Sequence, residues 1–281
     1  MRFSILRSAS SGRMPAALLA GGAIVLGMLA LAVLAPELGT RDPRVIAPYH
    51  RLEAPSSAAW FGTDRVGRDI YSRVVYGTRI SLGVGCAVAV LATAVGTLLG
   101  MLAGFLRPLD APIMRALDGL TAIPSVLFAI GLMALAQPGL VGIVLVIAVG
   151  EIPGVARLVR SVVLSLREQT YIQAAITIGT RTPLLLWRHI LPNLWAVLLV
   201  QGTYVFASAM IFEAILSLIG AGAPPELPSW GNIVAEGHAV FQTAPYIVLF
   251  PAGFLSLLVL GVNLLGNGLR DLLDARVPMR L

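Results

Sequence analysis

Long apolar runs dominate the chain and are separated by short polar segments. Uncharged runs occupy residues 14–36, 80–106, 119–150, 190–212 and 237–269. A helix that crosses a bilayer needs about 20 apolar residues. The third run is too long for one crossing and is broken at Gln137-Pro138-Gly139, a turn signal. The pattern therefore predicts six transmembrane helices, at residues 16–36, 80–106, 116–136, 140–158, 193–219 and 246–267.

The first apolar run also resembles a signal peptide, because Arg2, Arg7 and Arg13 precede it. Its apolar core of about 20 residues is longer than the roughly 7–15 residues of a signal peptide. We therefore predict an uncleaved first helix that follows a cytoplasmic N-terminus at residues 1–15.

The arginines predict which side of the membrane each loop faces. Six crossings place both termini on one side, and short cytoplasmic loops are enriched in Arg and Lys. With the N-terminus inside, the outer loops at 137–140 and 220–245 hold no arginine. The outer segment 37–79 is the exception, since seven arginines alternate there with acidic residues. We predict the N-in/C-in arrangement, with a cytoplasmic C-terminus after residue 267.

The outer segment 37–79 contains one short helical pattern. Ile70, Val74 and Val75 fall on one face of a helix, with Arg68 and Asp69 near the other. This pattern is typical of a helix that lies on the membrane surface. We predict an interfacial helix there, with two open interpretations: a capped lead-in to the second crossing, or a part in substrate entry.

Composition supports an all-α integral membrane protein. The chain is 57% hydrophobic and only 12% charged, with a mean hydropathy of +0.87. All 20 basic residues are arginine, so the lysine of a P-loop or a Schiff base is absent and the chain itself is not expected to be an ATPase. We attribute the net charge of +6 to arginines that face anionic lipid headgroups, and expect no nucleic-acid partner.

Few residues suggest chemistry within the chain. Glu151 and Glu213 are the acidic residues nearest to membrane depth, where such groups usually have a function. Both lie near predicted helix ends, which favours a structural or partner-contact role over a proton relay. The single cysteine, Cys86, permits no intrachain disulfide. The three histidines are scattered, at positions 50, 189 and 238, so we expect neither a metal site nor a catalytic site.

Two further patterns predict helix contacts. Gly96, Gly100 and Gly104 recur at four-residue spacing, which lets helices approach closely, either within this chain or against a partner chain. Arg115 and Asp118 lie three residues apart on one predicted helix and are expected to pair, with gating as the alternative.

One polar segment stands out between the fourth and fifth predicted crossings. It belongs to a predicted cytoplasmic loop at 159–192 and contains the stretch QAAITIGTRTPLLLWRHILPN at 173–193. Tyr171, Ala174, Ala175 and Ile178 mark one face of a short helix, and Gly179 can form a sharp turn. We call residues 171–192 the coupling segment and predict that it docks on another protein.

The coupling segment resembles the EAA loop of ATP-binding-cassette (ABC) importer permeases. QAAITIG, nine further residues and the Leu-Pro pair reproduce the spacing of that loop, with Gln173 where the pattern most often has Glu. The stretches FGTDRVGRDIYSRVVYGTRISLGVG, PPELPSWGN and NLLGNGLRDLLDARV resemble the C-type permeases of dipeptide, oligopeptide and nickel importers. Asn267 and Ala275 depart from that family's usual Asp and Pro.

The resemblance implies a type I importer permease fold with a core domain at 80–281, in the bacterial inner membrane. It implies an ATPase-coupling interface at Tyr171, Gln173, Ala174, Ala175, Gly179, Arg181, His189, Leu191 and Pro192. It further implies a second homologous permease, two ATPase subunits that bind ATP and Mg, and an extracytoplasmic binding protein, with no cofactor on this chain. Peptides are the expected substrate, with nickel or another small solute as the alternative; an ion-coupled carrier and a non-transporting scaffold are less favoured.

Overall fold

The computed structural model describes residues 16–135, 139–224 and 226–274. Its helices are α1 (Ala16–Leu34), α2 (Ile70–Phe105), α3 (Arg107–Thr121), α4 (Ser125–Leu135), α5 (Leu140–Arg167), α6 (Thr170–Thr177), α7 (Thr182–Leu185), α8 (Leu191–Leu218), α9 (Trp230–His238) and α10 (Tyr246–Asp274). The predicted N-terminus at 1–15, the break at Gln137-Pro138 and residues 275–281 lie outside the described part.

Five described helical stretches are long and apolar enough to cross a membrane. They are Ala16–Glu37, Ile70–Phe105, Leu140–Arg167, Thr182–Leu218 and Tyr246–Leu273, and a sixth crossing exists if α3 and α4 together form one. Within the described residues the secondary structure is helical, apart from one isolated β-bridge between Thr63 and Asp69. The prediction of an all-α integral membrane protein is confirmed.

The crossing predicted at 116–136 is not one continuous helix. The structure instead has α3 and α4, which meet at an angle of 91°. Pro124 stands at the break, where its ring disfavours a helical residue before it. Charged residues occur in α3 but not in α4, so α3 suits a polar environment and α4 an apolar one.

The predicted ion pair between Arg115 and Asp118 is also wrong. Both side chains are exposed, and the described part of the chain contains no ion pair between them. Asp110 of α3 instead accepts hydrogen bonds from Nε and Nη2 of Arg160 on α5, at 2.5 and 2.6 Å. This fork of two parallel bonds joins α3 to the end of α5.

Three glycines bring α2 and α5 close together. An added Cβ at Gly96, Gly100 or Gly104 would lie 2.6–2.8 Å from an atom of α5, with β-branched valines facing each glycine. Those valines, at positions 155, 159 and 163, are fully buried. The glycine repeat therefore packs within this subunit, where a larger side chain would force the two helices apart.

The first and last helices interlock in the same way. An added Cβ at Gly21 of α1, or at Gly261 or Gly268 of α10, would lie within 2.5 Å of an atom of the other helix. Trp230 of α9 is fully buried in a hydrophobic cluster to which α1, α2, α8 and α10 also contribute, and its indole Nε1 donates to the carbonyl of Val74 at 2.9 Å. These contacts close α1, α2, α9 and α10 around one core.

The segment between α1 and α2 is ordered by buried charges. Arg73 is 1% exposed and donates from Nη1 to Asp64 at 2.7 Å and to Glu236 of α9 at 2.6 Å. Arg68 binds the same two carboxylates, at 2.6 and 2.5 Å. We call Asp64, Arg68, Arg73 and Glu236 the ion cluster, and residues 38–69 the long loop.

The ion cluster explains why α2 starts earlier than the apolar pattern predicts. The helix begins at Ile70, capped by Asp69, whose side chain accepts from the backbone N–H of Ser72. Because Arg73 is neutralised by its acidic partners, the helix need not end where the charges begin. The predicted interfacial helix is therefore not a separate element: Ile70, Val74 and Val75 are fully buried in the first turns of α2, as the capped lead-in to the second crossing predicts.

Candidate coupling surface and membrane cavity

The coupling segment folds as two short helices joined by a tight turn. The N–H of Thr180 donates to the carbonyl of Ala175 and the N–H of Gly179 to that of Ile176, at 3.1 and 2.9 Å. This is the Schellman motif that ends many helices. It requires the φ of +85° found at Gly179, a conformation that other residues adopt only with strain.

One face of α6 holds it to the body of the protein. Ile172 is fully buried, and Ala175 is half-buried against the hydrophobic cluster that α2, α5 and α8 share. Tyr171 and Ala174 are exposed on the other face, so Ala174 and Ala175, predicted to share one face, point to different surroundings. Gln173 is exposed and donates from its amide to the carbonyl of Arg167 at 2.8 Å, which links α6 back to α5.

The second half of the coupling segment is continuous with a long helix. From Thr182 the helix α7 passes through one π-helical turn, Leu186–Ile190, directly into α8. Leu185 and Ile190 are buried on the inner face, and Leu191 packs against the same cluster. His189 is half-buried, and Pro192 is exposed in the first turn of α8, where its missing N–H costs little. Movement of α7 would therefore be transmitted to α8.

The outward face of the coupling segment exposes large apolar side chains. Ile178 is 84% exposed, Trp187 71% and Leu184 51%. Arg181 and Arg188 lie among them, exposed and without an ion pair in the described part of the chain. A cleft of about 310 Å³ lies between the start of α3, the end of α5 and the helices α6 and α7, and is lined in part by Arg107 and Arg167. Apolar side chains exposed beside unpaired arginines make this face a candidate docking surface.

A cavity of about 300 Å³ lies between α4, α5 and α8. Its lining is mostly apolar, but Glu151 of α5 points its carboxylate there, and Ser208 of α8 donates to Oε1 of that carboxylate at 2.6 Å. Tyr204 lines the same cavity one helical turn away from Ser208. The expectation that Glu151 lies near a helix end is wrong, since it is 11 residues after Leu140 in a helix of 28 residues.

The other intramembrane acid has a different environment. Glu213 is 1% exposed and accepts hydrogen bonds from Ser229 at 2.7 Å and Ser217 at 3.2 Å. It joins α8 to the start of α9, which is a structural role. Among the described residues, no group of three or more His, Cys, Asp or Glu side chains could hold a metal ion.

Sequence reasoning missed the ion cluster and the cavity around Glu151. The i, i+4 spacing of Asp64 and Arg68 was the one local signal for the ion cluster. Glu236 is 163 residues from Arg73, and Ser208 is 57 residues from Glu151, so no local pattern could join either pair.

Comparisons with known proteins agree with this geometry. Residues 96–278 match the family described as binding-protein-dependent transport system inner membrane component. The probable peptide ABC transporter permease protein y4tQ of Sinorhizobium fredii is 48% identical over 268 residues, which cover 95% of this chain and 91% of that protein. The dipeptide transport system permease protein of Alkalihalophilus pseudofirmus is 41% identical, covering 90% of this chain and 84% of that protein.

A solved structure shows the same fold. An inward facing form of the MetNI methionine ABC transporter has a chain that superposes with a TM-score of 0.61 at 17% identity. The superposition covers 74% of this chain and 98% of that chain. Members of the matched family are multi-pass proteins of the bacterial inner membrane that act with ATPase and substrate-binding subunits. The resemblance stated from the sequence is confirmed: this chain belongs to the family of binding-protein-dependent inner membrane components, as a permease subunit of an ABC importer and not an enzyme.

Proposed function

We propose that this permease forms half of a translocation pathway for short peptides. A second, homologous permease supplies the other half, and two ATPase subunits bind ATP and Mg and dock on the coupling segments from the cytoplasm. An extracytoplasmic binding protein delivers the peptide to the opposite side, where the long loop lies. In this arrangement both termini of the chain are cytoplasmic.

The observation that carries this proposal is the exposed apolar face of the coupling segment. Ile178, Leu184 and Trp187 are too exposed to stabilise the isolated chain, and they lie on a segment that runs without interruption into α8. When ATP closes the ATPase pair, a displacement of this face would move α8 and with it one wall of the cavity. The pathway between the two permeases would then switch between two states, open to one side or the other.

The relatives support peptides as the substrate. The Sinorhizobium protein is named for peptide transport and the Alkalihalophilus protein for dipeptide transport, and both match this chain over most of its length. The cavity of about 300 Å³ is at the small end of ligand sites, which favours short peptides over long ones.

The test is reconstitution of the complete complex in proteoliposomes with labelled Ala-Ala. We expect uptake that requires ATP, both permeases and the binding protein. A non-hydrolysable ATP analogue is the control and should abolish uptake. Uptake by this chain alone under an ion gradient would overturn the proposal in favour of a secondary carrier. Uptake of nickel but not of peptide would contradict the proposal that peptides are the substrate.

A further inference from the structure

The cavity between α4, α5 and α8 holds a carboxylate at membrane depth. Glu151 lies 11 residues after the start of α5 and 16 before its end at Arg167. At about 1.5 Å per residue it is roughly 17 Å from the start of α5 and roughly 9 Å from Arg157, the first charged residue that follows it in the helix. An ionisable side chain is costly at this depth and usually faces a water-filled pathway. Its presence needs an explanation beyond helix packing.

One oxygen of the Glu151 carboxylate is hydrogen-bonded, and the other is open. Oε1 accepts the hydrogen bond from Ser208. Within the described residues Oε2 accepts none, no cation pairs with Glu151, and Oε2 is not sealed from solvent. Ser208 therefore orients the carboxylate, and its second oxygen faces the cavity, free for a donor from a ligand. A carboxylate with one oxygen fixed and one open is suited to a cationic donor.

The cavity walls suit an ammonium group with a short organic body. Aromatic rings of Phe128, Tyr204 and Phe212 line the cavity, and the faces of such rings attract cations. Gly150, next to Glu151, also lines it, and a Cβ added there would meet nothing within 4 Å. The structure thus leaves open space beside the carboxylate instead of filling it with packed side chains.

We propose that Glu151 binds the α-ammonium group of the peptide during its passage, with Ser208 as the positioning residue. The inference rests on the proposed function and deepens it, since it names the group of the substrate that this permease recognises. A peptide with a free N-terminus carries this cation and can place its apolar side chains against the surrounding rings. An analogue without the amine loses this contact.

The first test is Glu151→Gln in the complete complex in proteoliposomes. The amide keeps the size of the side chain and can still accept from Ser208, but it removes the negative charge. We expect Ala-Ala transported per ATP hydrolysed to fall about tenfold or more, the effect of losing one charge-assisted hydrogen bond. ATPase activity with the loaded binding protein is measured in the same vesicles, so that transport is expressed per ATP hydrolysed. Ser208→Ala should give a smaller loss.

The matched control is Glu213→Gln, which changes the other intramembrane acid outside the cavity. It should lower thermal stability without lowering transport per ATP in the folded fraction. Equal loss of transport per ATP in both variants would show a structural role for Glu151 and overturn the inference. Unchanged transport by Glu151→Gln would overturn it as well.

The second test needs no peptide. In a Cys86→Ala background, Tyr204→Cys places a thiol in the cavity for cationic and anionic methanethiosulfonate reagents. After normalisation to a free thiol, we expect the cationic reagent to react about tenfold faster, and Glu151→Gln to bring the ratio near one. A ratio unchanged by Glu151→Gln, or no labelling at all, would overturn the inference.

The two tests separate the inference from the function on which it rests. If the complete complex imports no peptide while the labelling ratio depends on Glu151, the peptide function fails and a cation site remains. If the complex imports peptide but neither assay responds to Glu151→Gln, the inference alone fails.

Discussion

The long loop and the coupling segment lie at opposite ends of α2, and both contain arginines. Beside the long loop, arginine side chains are paired with carboxylates, whereas those of the coupling segment form no ion pair within the described residues. In the long loop, Arg68 binds Asp64 and Glu236, and the neighbouring Arg73 binds the same pair. In the coupling segment, Arg181 and Arg188 find no acidic partner within the described residues and stand among exposed apolar side chains.

The difference distinguishes arginines whose ion pairs stabilise the folded chain from arginines that are available to bind a partner protein. A buried pair is strongly destabilising to break, because the remaining charge is left without compensation. An exposed arginine beside an exposed Trp contributes little to the isolated chain and can contribute much in an interface. Substitutions in the ion cluster should therefore affect folding, and those on the exposed face of the coupling segment should affect assembly.

The largest expected effect is that of Arg73→Ala. It leaves Asp64, 1% exposed, without one of its two cations, and should lower the free energy of unfolding by about 3–5 kcal/mol. Thermal unfolding of the purified protein in detergent measures this. Arg65→Ala is the matched control, since that side chain is exposed in the same long loop and should change stability by less than about 0.5 kcal/mol. Equal effects would show that the ion cluster does not order the loop.

A second experiment compares two glycines with similar backbones. Gly39 and Gly179 have φ of +66° and +85°, and an added Cβ meets nothing within 4 Å at either position. Valine at either site should cost a similar 1–2 kcal/mol or so of backbone strain. We expect only Gly179→Val to reduce co-purification of the ATPase subunits and ATP-driven uptake, by about tenfold or more, because it distorts the docked turn.

A similar loss of ATPase binding in both valine variants would contradict this prediction. That result would mean that general destabilisation, and not the shape of the coupling segment, controls assembly. Membrane insertion of both variants, measured by their yield in the membrane fraction, should remain close to that of the unaltered chain.

The smallest effect is expected for Asp110→Asn. Its partner Arg160 forms two short bonds with it, but the side chains are 27% and 33% exposed. Water and salt weaken such a pair, so the loss should be about 1 kcal/mol or less and should shrink further at high salt. Asp118→Asn, on the same helix and exposed, should have no measurable effect. A loss as large as that of Arg73→Ala would show that burial does not separate the two pairs.

The broad architecture could be predicted because lipid imposes simple rules on sequence. Long apolar runs must form helices there, and the four-residue glycine spacing indicates close helix contacts. The position of the coupling segment was also visible, since it is a polar interruption with a turn-forming glycine. Each of these signals lies within one short stretch of sequence.

The remaining features depend on residues that are distant in sequence. The start of α2 could not be placed without Glu236, because Arg73 alone looks like a residue that must stay in water. The cavity site needs Ser208 from α8 to orient Glu151 of α5. In the coupling segment Ile172 is buried and Ile178 is exposed. Which of the two is buried depends on the side where the body of the protein lies, and helical spacing alone does not specify that side.

The interlocked glycines of α1 and α10 also constrain the order in which the protein can be completed. Gly21 contacts a helix that the ribosome makes more than 200 residues later, since α10 begins at Tyr246. Until α10 has been made, the small-residue groove of α1 lacks the helix that fills it. A chain that stops before α10 would expose that groove, and a membrane protease could recognise it as a mark of unfinished synthesis.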